Sequence, residues 1–192
     1  KSQLHYFVVF IRQFAKTQKA DFVRLSPLID NTQNNKIIIH ELGFIDSPIH
    51  QMDGEYCWLI NLLPNEDEIL GQMRKTTRYL IRQAGKMGVD IIRSTDLKDI
   101  TPFLHLYHET SRRQKFVEHT GIEMEIKECL KNKSGIIYKG YFQKKLLSVA
   151  LIIYYKHQAI YHHSASIEQK VPVNYLLQWE IIKDAKKSGL KI

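Results

Sequence analysis

Apolar residues recur at helical spacing from the start of the chain. Leu4, Phe7, Val8, Ile11, Phe14 and Ala15 predict a helix over Leu4 to Lys19. Phe22 to Leu28 then reads as a short buried strand stopped by Pro27. Asn31 to Asn35 is a polar loop, and Lys36 to Leu42 fits a helical turn or a strand equally well. The texture resets at Asp53-Gly54. Glu55 to Leu63 alternates as a strand would, with Trp58, Ile60 and Leu62 against Leu59 and Asn61. The strongest predicted helix runs from Glu66 to Met87. Asn65 is a good N-cap, Glu68 stands where a capping box puts its acid, and Gly88 is a natural stop.

Val89 to Arg93 predicts a strand. Asp96 to Arg113 predicts a mainly helical stretch, with Pro102 near its start and Thr101 as a candidate N-cap. Gly121 to Asn132 predicts another short helix. Three strand-like runs follow, Gly135–Phe142, Lys145–Tyr155 and Gln158–Ser164, separated by short polar turns at Gln143-Lys144 and Lys156-His157. An antiparallel meander is expected. Val173 to Lys187 predicts a last helix capped by Gly189, and Leu190-Lys191-Ile192 opens a new apolar segment where a strand should start. The chain is therefore read as a piece of a longer protein. The predicted fold class is α+β, with helices on a mixed, mainly antiparallel sheet.

Composition narrows this little. The 192 residues are 44% hydrophobic and 25% charged, which are globular values. No apolar run is long enough to span a bilayer, and the start lacks the features of a secretory signal. Cys57 and Cys129, the only two cysteines, make neither a disulfide framework nor a zinc module, so a reducing, cytoplasmic setting is expected. Charge adds more. Twenty-eight Lys and Arg against 20 Asp and Glu give +8, which suits polyanionic partners such as nucleic acid, phosphorylated ligands or an anionic membrane face. A basic surface kept for solubility gives the same number.

Candidate chemistry is sparse. Arg74, Arg78, Arg82 and Lys86 stand four apart and would share one face of the predicted helix, with Ile69, Met73, Leu80, Ala84 and Met87 on its core face. Like charges at that spacing repel, and a phosphate-rich partner such as tRNA would remove the repulsion. A solvated face neutralised by carboxylates elsewhere is an equal alternative. Arg112, Arg113 and Lys115 could clamp phosphates, although basic helix ends are common for dipole reasons. Tyr154, Tyr155, Tyr161, His162 and His163 crowd the meander. Strand alternation sends Tyr161 and His163 to one face and His162 to the other, and half-buried sheet packing is the simplest role for them. His108-Glu109-Thr110-Ser111-Arg112 has Arg where a zincin needs its second His. There is no nucleophile elbow, Walker loop or dinucleotide fingerprint, and the histidine spacing names no metal site. No cofactor is expected.

Three stretches carry a more specific likeness. They are Trp58 to Leu70 with Lys75 to Val89; Phe103 to Phe116, containing Glu109-Thr110-Ser111-Arg112-Arg113-Gln114-Lys115-Phe116; and Tyr161-His162-His163-Ser164-Ala165-Ser166 with Pro172 to Leu190. In order and spacing they resemble the Fem-type aminoacyltransferases (the FemABX family), which build peptidoglycan interpeptide bridges. Phe22 to Pro27 and Leu42-Gly43-Phe44 resemble the end of that family's first subdomain.

The resemblance implies two acetyltransferase-like (GNAT-type) subdomains. Residues 1–55 would be the latter part of the first, and 56–192 most of the second, truncated at its C-terminus. It implies transfer of an amino acid from aminoacyl-tRNA to the stem peptide of lipid II or UDP-MurNAc-pentapeptide, in cell-wall biogenesis and cell shape. The setting would be cytoplasmic, with peripheral contact at the inner membrane face. Arg113 matches the family's Arg before the Phe of that loop and is assigned to acceptor phosphate, with Arg112 as the fallback. Tyr161 falls where the family places a Tyr near the acceptor. Asn174, Tyr175, Gln178 and Trp179 match its helix motif, either in direct contact or by setting that helix on the sheet. The Arg74, Arg78, Arg82 and Lys86 stripe would meet tRNA or the membrane surface. Catalytic residues are expected beyond Ile192, so this piece alone is expected to be inactive. Two other readings stand beside it: another GNAT-like N-acyltransferase, and a non-catalytic module that binds RNA or anionic lipid.

Overall fold

The structure, a computed structural model, describes residues 2–27, 29–48 and 57–191. The chain divides into two compact units, Lys1–Trp58 and Leu59–Ile192.

The first unit is helical. Helix α1 (Ser2–Thr17) follows the apolar spacing of its sequence, and Val8 is 2% exposed. Helix α2 (Gln33–Glu41) settles the undecided segment after the Asn-rich loop. It begins inside that loop because Thr32 caps it, accepting from the Asn35 amide. Arg12 Nη2 donates to Leu42 O at 2.6 Å, tying α1 to the end of α2. The strand expected over Phe22 to Leu28 is not formed. Residues 22–27 lie in no strand, and Leu28 lies outside the described residues.

The second unit carries the sheet. Helices α3 (Glu66–Gln72) and α4 (Lys75–Lys86) lead into strand β1 (Asp90–Ser94). A 3-10 turn (Leu97–Asp99), capped by the Asp96 carboxylate on the Lys98 amide, opens α5 (Ile100–Gln114). Thr101 therefore lies inside α5 and is not its cap. Then come α6 (Ile122–Lys131), β2 (Gly135–Phe142), β3 (Lys145–Tyr155), β4 (Gln158–Ser166) and α7 (Val173–Lys187). The strands pair antiparallel in the order β1-β2-β3-β4. At the first hairpin Gln143 and Lys144 both hold positive φ, the hand that a two-residue turn between right-twisted strands requires.

Helices cover both faces of the meander. Strand alternation sends Ile137, Val149 and Leu151 to the face under α5 and α6, where they meet Phe103, Leu106 and Ile126. It sends Ile136, Tyr138, Ala150 and Ile152 to the other face, against Leu177 and Ile181 of α7. The far side of α7 packs Trp179 and Ala185 against Ile69, Ile81 and Leu62. α7 lies close to β2: a Cβ on Gly140 would stand 2.5 Å from Val173 Cγ2. The Tyr138 hydroxyl donates to Asp184 Oδ2 at 3.0 Å, so the phenol of Tyr154, 2.9 Å away, donates to Tyr138.

The strand expected over Glu55 to Leu63 is also not formed, and Glu55 and Tyr56 lie outside the described residues. In this stretch the Leu62 amide donates to Lys191 O at 2.9 Å. One bond is too few for a ladder, and Trp58 is 93% exposed.

Lys139 sits on the α5 face of β2, and its residue is 9% exposed. Its ammonium lies 2.5 Å from Asp99 Oδ1 at the start of α5. Burial by itself would raise the Asp99 carboxyl, but Lys139 and Ser94 outweigh it and hold it below its ordinary value. The pair's contribution is thus complete above the unfolded value of 3.8 and disappears as pH falls through the lower folded one. Asp99→Asn leaves a buried ammonium unpaired and should cost about 3 kcal/mol at pH 7. Urea melts over pH 7 to 3 should show the gap between variant and wild type closing at acid pH.

Candidate functional site

Three elements converge where β4 ends. From α5, the Arg113 guanidinium donates to Ser166 O at 2.6 Å. One turn back, Thr110 Oγ1 accepts from the Ser166 amide at 3.1 Å and lies 3.1 Å from Ser166 O. From α7, Asn174 Nδ2 donates to Ser166 Oγ at 3.3 Å. The α5 residues share one face because they are three apart on a helix. Arg113 is half-buried, and its bond to Ser166 uses one of its five N–H donors.

A cleft of about 240 Å³ adjoins this junction, lined by Leu80 from α4, Ile167 to Pro172 apart from Glu168, and Asn174 and Tyr175 from the first turn of α7. No side chain caps α7, and its first turn holds no acid. Lys170 adds a cation at the same wall. The Val173 and Tyr175 amides already donate to Val171 O at 2.8 Å and Pro172 O at 3.2 Å, so the helix dipole and Lys170 are what favour an anion there.

The expected site residues therefore separate. Arg113 and Asn174 meet at Ser166, and Tyr175 lines the adjoining cleft. Arg112 lies exposed on the outer side of α5, near Glu118. Tyr161, 42% exposed, stands opposite Ile152, five residues up the strand from Ser166, which is about 16 Å. Trp179 is buried in the core between α7 and α4, and so positions α7 from within.

The basic stripe changes most. The predicted single helix over Glu66 to Met87 is two helices, broken where Met73 and Arg74 turn extended, at ψ 153° and 145°. The Asn65–Glu68 capping box forms as expected. Gly71 weakens the end of α3, and Arg78 Nη1 then donates to Gly71 O at 2.9 Å and Met73 O at 2.8 Å. Arg78 thus closes the break from the next turn. Arg74 precedes α4 as its N-cap residue, while Arg82 and Lys86 remain exposed on α4. Ile81 is buried in the core, and Met87 is exposed.

The histidines of β4 also depart from the expected alternation. His163 pairs with Leu151 and Tyr161 with Ile152, so His162 is an extra residue in a β-bulge. The bulge turns both histidines toward one carboxylate. His162 Nε2 lies 2.7 Å from Glu125 Oε1, and His163 Nε2 lies 3.0 Å from Glu125 Oε2. His119 Nε2 approaches the same Oε2 at 3.4 Å. Burial pushes His163 below its ordinary value, with Glu125 opposing. Burial would raise Glu125, but the bonds from His162 and His163 outweigh it and hold the carboxyl low. Sequence reasoning missed Glu125 and His119. The adjacent His162-His163 pair was the one local signal, and neither the bulge nor the partner in α6 can be read from spacing.

Arg78→Gln should lower stability by about 1–2 kcal/mol, because two helix-terminal carbonyls lose a charged donor. Arg82→Gln should stay within about 0.5 kcal/mol, as surface substitutions do. Denaturant midpoints of the two variants check this directly. Equal values would remove Arg78 from the break.

A model of the FemAB family matches residues 1–121. No curated protein sequence matches the chain. Among solved structures, the crystal structure of FemX matches with a TM-score of 0.72 at 15% identity, over 98% of this chain and 66% of that one. This chain thus spans just under two-thirds of the FemX chain. The C-terminal domain of a putative lysylphosphatidylglycerol synthetase from Agrobacterium fabrum matches with a TM-score of 0.51 at 12% identity, over 69% of this chain and 41% of that one. At these identities both likenesses concern the fold.

Proposed function

The chain belongs to the FemAB family, and on that premise we propose that the protein carrying it is an aminoacyltransferase of cell-wall synthesis. It takes an amino acid from aminoacyl-tRNA and transfers it to an amine on the stem peptide of lipid II or UDP-MurNAc-pentapeptide. The two units are then the latter part of one GNAT-like subdomain and most of a second, working at the cytoplasmic face of the membrane. Among the described residues, no helix is long and apolar enough to cross a membrane.

The observation that carries this reading beyond family membership is the junction at Ser166. Arg113, held there by α5, bonds the end of β4, and the adjoining cleft is lined by Lys170, Tyr175 and the first turn of α7. That arrangement suits the phosphates of a nucleotide- or lipid-linked acceptor. The chemistry is acyl transfer. The acceptor amine attacks the ester carbonyl of the charged tRNA, passes its proton to a base, and expels the ribose hydroxyl. The oxyanion that forms needs a donor or cation close by. No covalent enzyme intermediate is required, which suits a chain without a nucleophile motif. Tyr161 lies too far along β4 to share the phosphate with Arg113. Its place in this reading is farther along the acceptor.

The test uses the whole polypeptide that contains this chain, mixed with charged tRNA and either acceptor, and reads the acceptor by mass spectrometry. The expected result is a gain of one amino-acid residue, abolished by RNase. Arg113→Ala should raise the KM for the acceptor more than it lowers kcat, because phosphate binding serves ground and transition states alike. No gain with either acceptor in folded protein would move the assignment to an acyl-CoA-dependent N-acyltransferase or to a binding module.

The exposed cations of α4 and its N-cap then serve the tRNA. Replacing Arg74, Arg82 and Lys86 together with Gln should weaken tRNA binding and reduce the salt slope by about 2–3. Filter binding at several salt concentrations measures both. An unchanged slope would take this face out of the RNA contact.

A further inference from the structure

We propose that His119, Glu125 and His163 form a binding site for a divalent transition-metal ion, with Zn²⁺ the best fit, and that His162 orients the carboxylate from behind. Three separate elements bring the ligands together: the segment between α5 and α6, helix α6, and strand β4. Their ligand atoms all lie within 4.8 Å of one another. Two of the edges run from Glu125 Oε2, 3.0 Å to His163 Nε2 and 3.4 Å to His119 Nε2. A tetrahedral zinc with bonds of 2.0–2.1 Å has ligand–ligand edges of about 3.3 Å, so these two separations fit a shared ion without large movement.

The donor set also points to the metal. Two imidazole nitrogens and one carboxylate oxygen suit borderline ions of the zinc, cobalt and nickel kind, whereas calcium and magnesium prefer all-oxygen sites. Three protein ligands leave a fourth position for water. His162 Nε2 holds the other carboxylate oxygen, Oε1, at 2.7 Å, the supporting contact that fixes a ligating carboxylate.

The ligands are held in place without the ion. The His119 amide donates to the buried Tyr107 hydroxyl at 3.1 Å. The Tyr107 ring meets His163 edge-on at 6.2 Å, and His163 packs on His162 at 4.1 Å. The bulge puts His162 and His163 on the same carboxylate. In regular alternation only one of them would reach it. Bound metal would clamp the segment after Arg112 and Arg113 to β4. This site shares no residue with the Ser166 junction and does not depend on the transferase reading.

The test is a zinc titration of the metal-free, untagged full-length protein, followed by calorimetry and by thermal melting, with Co²⁺ as a visible-absorption probe. The expected result is one saturable equivalent per chain, a Tm that rises with zinc, and cobalt bands of tetrahedral intensity. His119→Gln, at an exposed ring that leaves the core intact, should weaken binding by about 100-fold or more, and Glu125→Gln likewise. His162→Gln should weaken it by about tenfold or more through loss of the support. His40→Gln, outside the cluster, should change nothing. Failure of the wild-type protein to bind one equivalent would overturn the site. So would binding that His119→Gln and Glu125→Gln leave intact in folded protein.

Discussion

Strand β3 is enclosed on both faces. Val149, Ala150, Leu151 and Ile152 are consecutive and all 0% exposed, so neighbours on one side alone cannot keep the strand dry. A strand of this kind needs a helical layer above and another below. That requirement fixes the positions of α5, α6 and α7. Apolar burial is non-directional, however, and close packing and polar ties set the register of those layers. Gly140 lets Val173 approach β2, Lys139 holds the start of α5 through Asp99, and Tyr138 holds α7 through Asp184.

The candidate site follows from that two-sided cover. α5 must lie on one face of the sheet and α7 on the other, so their ends can meet only past the rim of a strand. β4 is an edge strand, and it ends at Ser166 between them. Thr110 and Arg113 reach over from α5, and Asn174 reaches from α7. The cleft beside this junction is thus a product of layer geometry, and its basic character comes from Lys170, which the sequence puts at its wall.

Features set by nearest neighbours along the chain were legible in the sequence. The Asn65–Glu68 capping box, the stops at Gly88 and Gly189, and the two polar turns of the meander depend on a few adjacent residues. Features set by distant partners were not. Residues 57–63 alternate like a strand, but alternation reports a preference for a pleated surface and cannot supply the neighbouring ladder. The break at Met73 and Arg74 rests on Arg78 folding back onto carbonyls of the previous helix, while the apolar spacing runs through it unchanged. The bulge at His162 shifts side chains between faces, and one extra residue in a ladder leaves no mark on composition. Arg113 could be named from sequence, but its bond to a backbone carbonyl 53 positions away could not.

The net charge of +8 gains meaning only when the cations are sorted by what they touch. Lys139 neutralises a carboxylate inside the core. Arg78 closes the end of α3, and Lys186 donates to Leu62 O and Leu63 O, pinning a stretch that has almost no ladder. These charges face the protein's own backbone or acids and hold the fold. Arg82, Lys86 and Lys170 face outward. Arg113 stands between the two classes: half-buried, it donates one N–H to Ser166 O at the end of β4. A guanidinium immobilised in this way would lose little further freedom on meeting an anion, so the contact that holds β4 would also prepare Arg113 for the phosphate role proposed for it.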